Sequence, residues 1–132
     1  MKVIVAGSRG ITDYELIRTA LDEARNRGLN ITAIVDGMAR GIDCLASRYA
    51  TENGIDNIRV AADWKRYGKG AGILRNEQMA EIADALIAVW DGKSPGTLHM
   101  IECAKAKGLK NISIISVDKG IKTTTLLAGG NE

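Results

Sequence analysis

The chain has 132 residues, of which 45% are hydrophobic and 26% charged, and this size and composition are typical of one globular domain. Its formal net charge of +2 is too small to indicate a polyanionic partner, because a nucleic-acid-binding domain usually has a stronger basic bias. No run of 18 apolar residues is present, and the apolar stretch after Met1 is too short for a signal peptide, so we expect a cytoplasmic protein without a membrane span.

Apolar runs and stretches of helical periodicity alternate along the chain. The predicted strands cover residues 2–6, 31–35, 58–61, 85–90 and 112–117. Four helices are predicted. The first runs from the N-cap Thr12 to Gly28, and the second contains Ile42, Leu45, Ala46 and Tyr49 and ends at Gly54. The third covers residues 73–83 with Met79, Ile82 and Ala83 facing inward, and the fourth runs from Thr97 through Met100, Ile101 and Ala104 to Gly108. Residues 63–72 are polar and rich in glycine, which predicts a long loop.

This alternation predicts an α/β fold of the Rossmann-like, doubly wound type, with helices on both faces of a mostly parallel sheet. We expect five strands in the order 3-2-1-4-5, which puts the switch point between the first and fourth strands. Residues 1–118 form the predicted domain. Residues 119–132, rich in Thr and Gly, are predicted to be a flexible tail.

The residues that follow the strands are small and polar, and in such a sheet they meet at one edge. The candidate ligand-binding residues are Gly7, Ser8 and Arg9 after the first strand, Gly37, Arg40, Gly41 and Asp43 after the second, Asp63, Arg75 and Asn76 after the third, and Ser94, Gly96 and Thr97 after the fourth. Glycine allows backbone N–H groups to approach a phosphate closely, and arginine can donate to it in a bidentate manner. The loops match neither a Walker A motif nor a GxGxxG fingerprint.

Three types of side chain leave alternatives open. Asp43 either interacts favourably with a helix dipole or bonds a ligand hydroxyl or Arg40. Trp64 and Trp90 either pack in the core or stack on a base. Arg75 opens a helix, where a cation is unfavourable for the dipole, so a functional role is favoured.

The sequence indicates no metal site and no cofactor. Cys44 and Cys103 have no metal-binding spacing, and His99 is the single histidine. The cysteines are interpreted as reduced packing residues.

Four segments resemble the SLOG superfamily over roughly residues 2–117. They are Gly7-Ser8-Arg9, the segment from Gly37 to Asp43, Arg75-Asn76 with Met79, and Ser94-Pro95-Gly96-Thr97. The superfamily includes the "lonely guy" phosphoribohydrolases, molybdenum-cofactor carrier proteins and the DNA-processing protein DprA, and the best likeness is to small stand-alone (DUF2493-like) SLOG proteins. The resemblance implies a Rossmann-like fold that binds nucleotides or their derivatives.

The resemblance also assigns roles to single residues. It makes Arg75 the functional arginine, matches Met79 to the family methionine, and makes Gly96 and Thr97 the phosphate-binding pair. The catalytic glutamate of the hydrolases falls on Met100, which cannot act as an acid or base.

We therefore expect a protein that binds a nucleotide or nucleotide-derived small molecule as a sensor, carrier or sequestering protein, and that forms a homo-oligomer. The alternative is a nucleotide phosphoribohydrolase, whose acid or base would be one of Asp43, Asp63, Asp91, His99 or Glu102. A third reading is single-stranded DNA binding, since the Gly37–Asp43 segment also resembles DprA, but the small net charge disfavours it.

Overall fold

The computed structural model of the chain describes residues 1–118 and 121–127. The strands are β1 (Lys2–Gly7), β2 (Ala33–Asp36), β3 (Asp56–Arg59), β4 (Ala85–Trp90), β5 (Asn111–Asp118) and β6 (Ile121–Leu127). The α-helices are α1 (Tyr14–Asn26), α2 (Ile42–Glu52), α3 (Trp64–Tyr67), α4 (Ala71–Ile82) and α5 (Pro95–Ala106), with a 3-10 turn at Gly68–Gly70. None of the helices in these residues is long and apolar enough to cross a membrane.

The strands form one sheet in the order β3-β2-β1-β4-β5-β6. The strands β1 to β5 are parallel to one another. In their centre β1 pairs with both β2 and β4, so that Val3 lies opposite Ile34 on one side and Ala85 on the other. The α/β Rossmann-like class and the order of the first five strands are confirmed. The switch point lies between β1 and β4, as the sequence predicts.

The predicted count of five strands is wrong, because β6 pairs with β5 in antiparallel orientation. Residues 121–127 belong to the segment that the sequence analysis treats as a tail. Four of them are Ile121 and the three threonines that follow Lys122, and β-branched residues favour strands. The glycine content of the segment obscured this run. Residues 119–120 and 128–132 of the predicted tail lie outside the described residues.

Alternate residues of the apolar strands supply two cores, one on each face of the sheet. In β1, Val3 and Val5 face α1 and α2, whereas Ile4 and Ala6 face α4 and α5. The first core includes Leu16, Ile17, Leu21, Ile42, Ala46 and Tyr49, and the second includes Met79, Ala80, Met100, Ile101 and Ala104. Burial on both faces explains why the parallel strands are nearly continuous apolar runs.

Three local predictions need correction. The side chain of Asp13, not Thr12, caps α1 by accepting a hydrogen bond from the N–H of Glu15. The predicted loop at 63–72 is largely helical, because Asp63 caps α3 through the N–H of Arg66 and α4 begins at Ala71. Ile82, expected to face inward, is 40% exposed.

Candidate functional site

A cleft of about 430 Å³ lies beyond the carboxyl ends of β1 and β4. We call it the first cleft. Its walls are residues 6–10 at the end of β1 and in the loop that follows, Ala39 and Asp43 after β2, Arg75, Asn76 and Met79 of α4, and Ser94, Pro95, Gly96, Thr97 and Met100 at and after the N-cap of α5. It therefore occupies the switch point of the sheet, where ligands bind in folds of this class.

The carboxyl end of β1 is packed so tightly that its last residue, Gly7, has no room for a side chain. A Cβ at Gly7 would lie 2.5 Å from Cγ1 of Ile42 and 2.6 Å from the carbonyl oxygen of Val89. The next residue, Ser8, is buried, and its N–H donates to the Val89 oxygen at 3.1 Å. Its Oγ accepts hydrogen bonds from the N–H of Asp91 at 3.1 Å and from Oγ of Ser94 at 3.0 Å. Ser8 thus joins the loops that follow β1 and β4.

Asp43 organises the loop after β2. Its Oδ2 accepts from the N–H groups of Gly37, at 2.9 Å, and Ala39, at 3.2 Å. Burial raises the pKa of this carboxyl, an effect that Asp36 reinforces and that the two N–H bonds and Arg75 oppose. Met38 adopts a left-handed conformation with φ of 61°, which is strained for a residue with a Cβ.

Gly41 brings the loops after β1 and β2 together. It has a φ of 70°, and a Cβ there would lie 2.6 Å from the carbonyl oxygen of Arg9 and 2.9 Å from that of Ser8. Gly41 is also the N-cap of α2. Its role in this structure is close backbone contact, and it lines neither the first cleft nor the second cleft described below.

Arg75 projects from α4 across the backbone of Gly37. Its Nη1 donates to the Gly37 carbonyl oxygen at 3.1 Å, whereas its Nε is buried without a hydrogen-bond partner. Burial lowers the pKa of Arg75 and the nearby Arg9 lowers it further, while Asp43 and Asp36 raise it. The guanidinium nevertheless remains charged, because its intrinsic pKa is so high. No ion pair found in the described part of the chain contains Arg9, Arg40 or Arg75.

The N-terminus of α5 presents free donors to the first cleft. Ser94 is the N-cap, but its side chain bonds Ser8 and Asp91 instead of the helix. Within residues 1–118 and 121–127, the N–H groups of Gly96 and Thr97 have no hydrogen-bond partner. A Cβ at Gly96 would meet no atom within 4 Å, so a side chain at this position would point into open space.

Asn76 connects α4 to α5. This buried side chain donates from Nδ2 to the carbonyl oxygen of Gly96 at 3.2 Å and to Nδ1 of His99 at 3.0 Å. Nε2 of His99 lies 3.5 Å from Sγ of Cys103. His99 thus contacts Asn76 and Cys103 and does not line the first cleft.

A second cleft of about 310 Å³ adjoins the first and shares Arg9, Ala39 and Arg75 with it. Its other walls are Gly37, Met38, Arg40, Ala61, Ala62 and Trp64. Trp64 does not pack in the core, since it is 51% exposed. Trp90, in contrast, has a structural contact, because its Nε1 donates to the carbonyl oxygen of Ser94 at 3.1 Å.

The structure brings most of the predicted site residues together. Gly7, Ser8, Arg9, Asp43, Arg75, Asn76, Ser94, Gly96 and Thr97 line the first cleft, and Gly37 and Arg40 line the second. Gly41 and Asp63 line neither, and Asp63 caps α3. Gly10 and Ala39 also line the first cleft but were not predicted, because they carry no functional group that a pattern could single out. Ligand binding by all these residues remains a prediction.

The fold and cleft define an α/β protein with a polar, arginine-lined site at the switch point of a Rossmann-like sheet. The profile of the YspA, cpYpsA-related SLOG family (YAcAr) matches residues 1–67. The Gene 61 protein of Mycobacterium phage D29 is 34% identical over 118 residues, which cover 85% of this chain and 94% of that protein. The chain belongs to the YspA, cpYpsA-related SLOG family, and the resemblance to the SLOG superfamily is confirmed.

Proposed function

We propose that this protein binds a phosphate-bearing nucleotide or nucleotide-derived small molecule in the first cleft, as a sensor, carrier or sequestering protein. The observation that carries the proposal is Arg75, a cation in the cleft wall whose Nε is buried without a partner. An unpaired buried donor costs about 1–3 kcal/mol. An anion towards which the guanidinium turns would remove that cost. Membership of the SLOG family is consistent with a nucleotide-related ligand.

The charges around the first cleft favour an anion. Arg9 and Arg75 both line it, and the free N–H groups of Gly96 and Thr97 lie at the positive end of the α5 dipole. Asp43 is the one carboxylate among the described residues of the wall, and its Oδ2 is already bonded to two backbone N–H groups. A phosphate has enough acceptor oxygens to meet several of these donors at once.

The same wall disfavours the phosphoribohydrolase alternative. By the resemblance, Met100 falls on the position of the family glutamate. It is buried and lines the first cleft with a side chain that cannot transfer a proton. Of the other candidates for an acid or base, only Asp43 lines this cleft, and its Oδ2 is held by the N–H groups of Gly37 and Ala39. The remaining candidates, Asp63, Asp91, His99 and Glu102, do not line it. Binding without hydrolysis is therefore the function that the residues support best.

Calorimetric titration with the four nucleoside 5′-monophosphates tests the proposal, in wild type and in Arg75→Ala. Loss of a charge-assisted contact should weaken binding by roughly 30- to 1000-fold. Arg27→Ala is the matched control, because Arg27 is exposed and lines a different cavity, near Met1 and Asn111 at the amino ends of the strands. Equal affinities of wild type and Arg75→Ala would contradict the proposal, and free base detected by chromatography would favour the hydrolase.

A further inference from the structure

We infer that the second cleft binds the planar base of the nucleotide and that the indole of Trp64 is the surface on which the base stacks. The inference rests on the proposed function, because it places the remainder of the same ligand. Trp64 is 51% exposed and forms part of the wall of a 310 Å³ cavity. A tryptophan buries a large apolar area when it is covered, and a base supplies a flat surface that matches the indole.

The surroundings of Trp64 hold it in place without covering it. Trp64 is the first residue of α3, whose N-cap Asp63 accepts from the N–H of Arg66 at 3.2 Å. On the side of α4, a Cβ at Gly72 would lie 3.4 Å from Cη2 of Trp64, so the edge of the indole lies close to that helix. A side chain that is positioned but half-exposed loses little conformational freedom when a ligand stacks on it.

The two clefts are adjacent in the way that the parts of a nucleotide require. Arg9, Ala39 and Arg75 line both of them, so a ligand whose phosphate contacts Arg75 extends directly into the second cleft. The described residues of the second cleft include no carboxylate, and Met38, which carries a polarisable thioether, also lines it. A sugar phosphate alone would leave the exposed face of the Trp64 indole uncovered, whereas the base of a nucleotide covers it.

A comparison of ligands with and without a base, in wild type and in variants of Trp64, tests this assignment. The probes are the four nucleoside 5′-monophosphates and ribose 5-phosphate, titrated by calorimetry against wild type, Trp64→Ala, Trp64→Phe and Tyr67→Ala. Wild type should bind the nucleotides more tightly than ribose 5-phosphate by roughly 5- to 150-fold, the usual effect of one stacked base. Trp64→Ala should remove this preference without changing the affinity for ribose 5-phosphate.

Two variants separate stacking from a structural role. Trp64→Phe should retain most of the preference, because an aromatic face remains. Tyr67→Ala is the control, since Tyr67 is another exposed aromatic residue of α3 but lines neither cleft. It should bind both classes of probe as wild type does.

The outcomes distinguish this inference from the proposed function. Suppose that Arg75→Ala weakens the binding of both the nucleotides and ribose 5-phosphate. If Trp64→Ala then weakens the binding of neither class of probe, or of both equally, the base assignment alone is wrong. If Arg75→Ala changes nothing, or if wild type binds no probe, the proposed function fails and the base assignment fails with it. If Trp64→Ala abolishes self-association or binding to a protein and leaves the nucleotide preference intact, Trp64 is a protein contact and the inference is overturned.

Discussion

The guanidinium of Arg75 lies directly against the backbone of Gly37. A Cβ at Gly37 would be 2.8 Å from Nε and 2.9 Å from Cδ of Arg75, and Nη1 of the same side chain donates to the Gly37 carbonyl oxygen. The loop after β2 therefore determines where the cation of α4 is placed. A substitution at Gly37 should therefore change the orientation of the Arg75 side chain.

Gly37→Ala should weaken nucleotide binding by roughly 10- to 100-fold, because the added methyl displaces the guanidinium and breaks its one hydrogen bond. The melting temperature should change little, since the flexible arginine side chain can move away from the added methyl. Calorimetry and thermal unfolding measure the two effects. Gly70→Ala, which adds a methyl where no atom lies within 4 Å, is the control. Unchanged affinity in Gly37→Ala would show that this contact does not position Arg75 for a ligand.

Gly41→Ala should destabilise the fold by about 2 kcal/mol or more. The substitution forces a left-handed alanine and places its Cβ 2.6 Å from the carbonyl oxygen of Arg9. Gly54→Ala is a matched control, because Gly54 has a similar φ of 64° but open space around its Cβ, and should cost only about 1–2 kcal/mol. Urea unfolding of both variants gives the difference. Equal losses would mean that the contact between the two loops relaxes freely.

The sequence predicted the fold and the edge of the sheet where the cleft lies, because both follow from local features. Strand–helix alternation determines which strand ends meet, so the residues after β1, β2 and β4 could be grouped without coordinates. The pairing of Asp43 with the N–H groups of Gly37 and Ala39 could not be predicted, since it depends on how a loop folds back on its own helix. The exposure of Trp64 was equally hidden, because periodicity does not show that residues 64–67 form a separate short helix.

The oligomeric state of the protein remains a prediction from the sequence. We propose a homo-oligomer, most simply a dimer, because so small a domain has little surface with which to enclose a nucleotide. The exposed Ile73 and Ile82 of α4 are apolar residues that a partner would cover. Light scattering at micromolar concentration should show a mass above that of one chain, and Ile73→Asp should reduce it. A monomer throughout the concentration range would contradict this proposal.

Asp43→Asn should change the pH dependence of stability in a direction that the environment of Asp43 determines. Burial raises the pKa of this carboxyl in the folded protein above its ordinary value of 3.8. Between the unfolded and folded pKa values, the folded state therefore binds more protons, so the contribution of Asp43 to stability falls as pH rises through that window. Asparagine does not titrate, so the Asp43→Asn variant does not lose stability in this way as pH rises. Its stability relative to wild type should therefore increase from about pH 4 upward and become constant above the folded pKa.

Thermal unfolding of both proteins from about pH 2 to pH 8 measures this effect, and the other titrating groups cancel in the comparison. Asp91→Asn provides a control of opposite sign, because the N–H groups of Lys93 and Ser94 lower the pKa of Asp91. Asp91 contributes stability above its unfolded pKa and loses it as pH falls through the folded value, so its asparagine variant should become less stable relative to wild type as pH rises. The stability of Asp43→Asn relative to wild type could instead stay constant with pH, or increase as pH falls. Either result would mean that the loop after β2 stabilises the buried carboxylate better than its surroundings indicate.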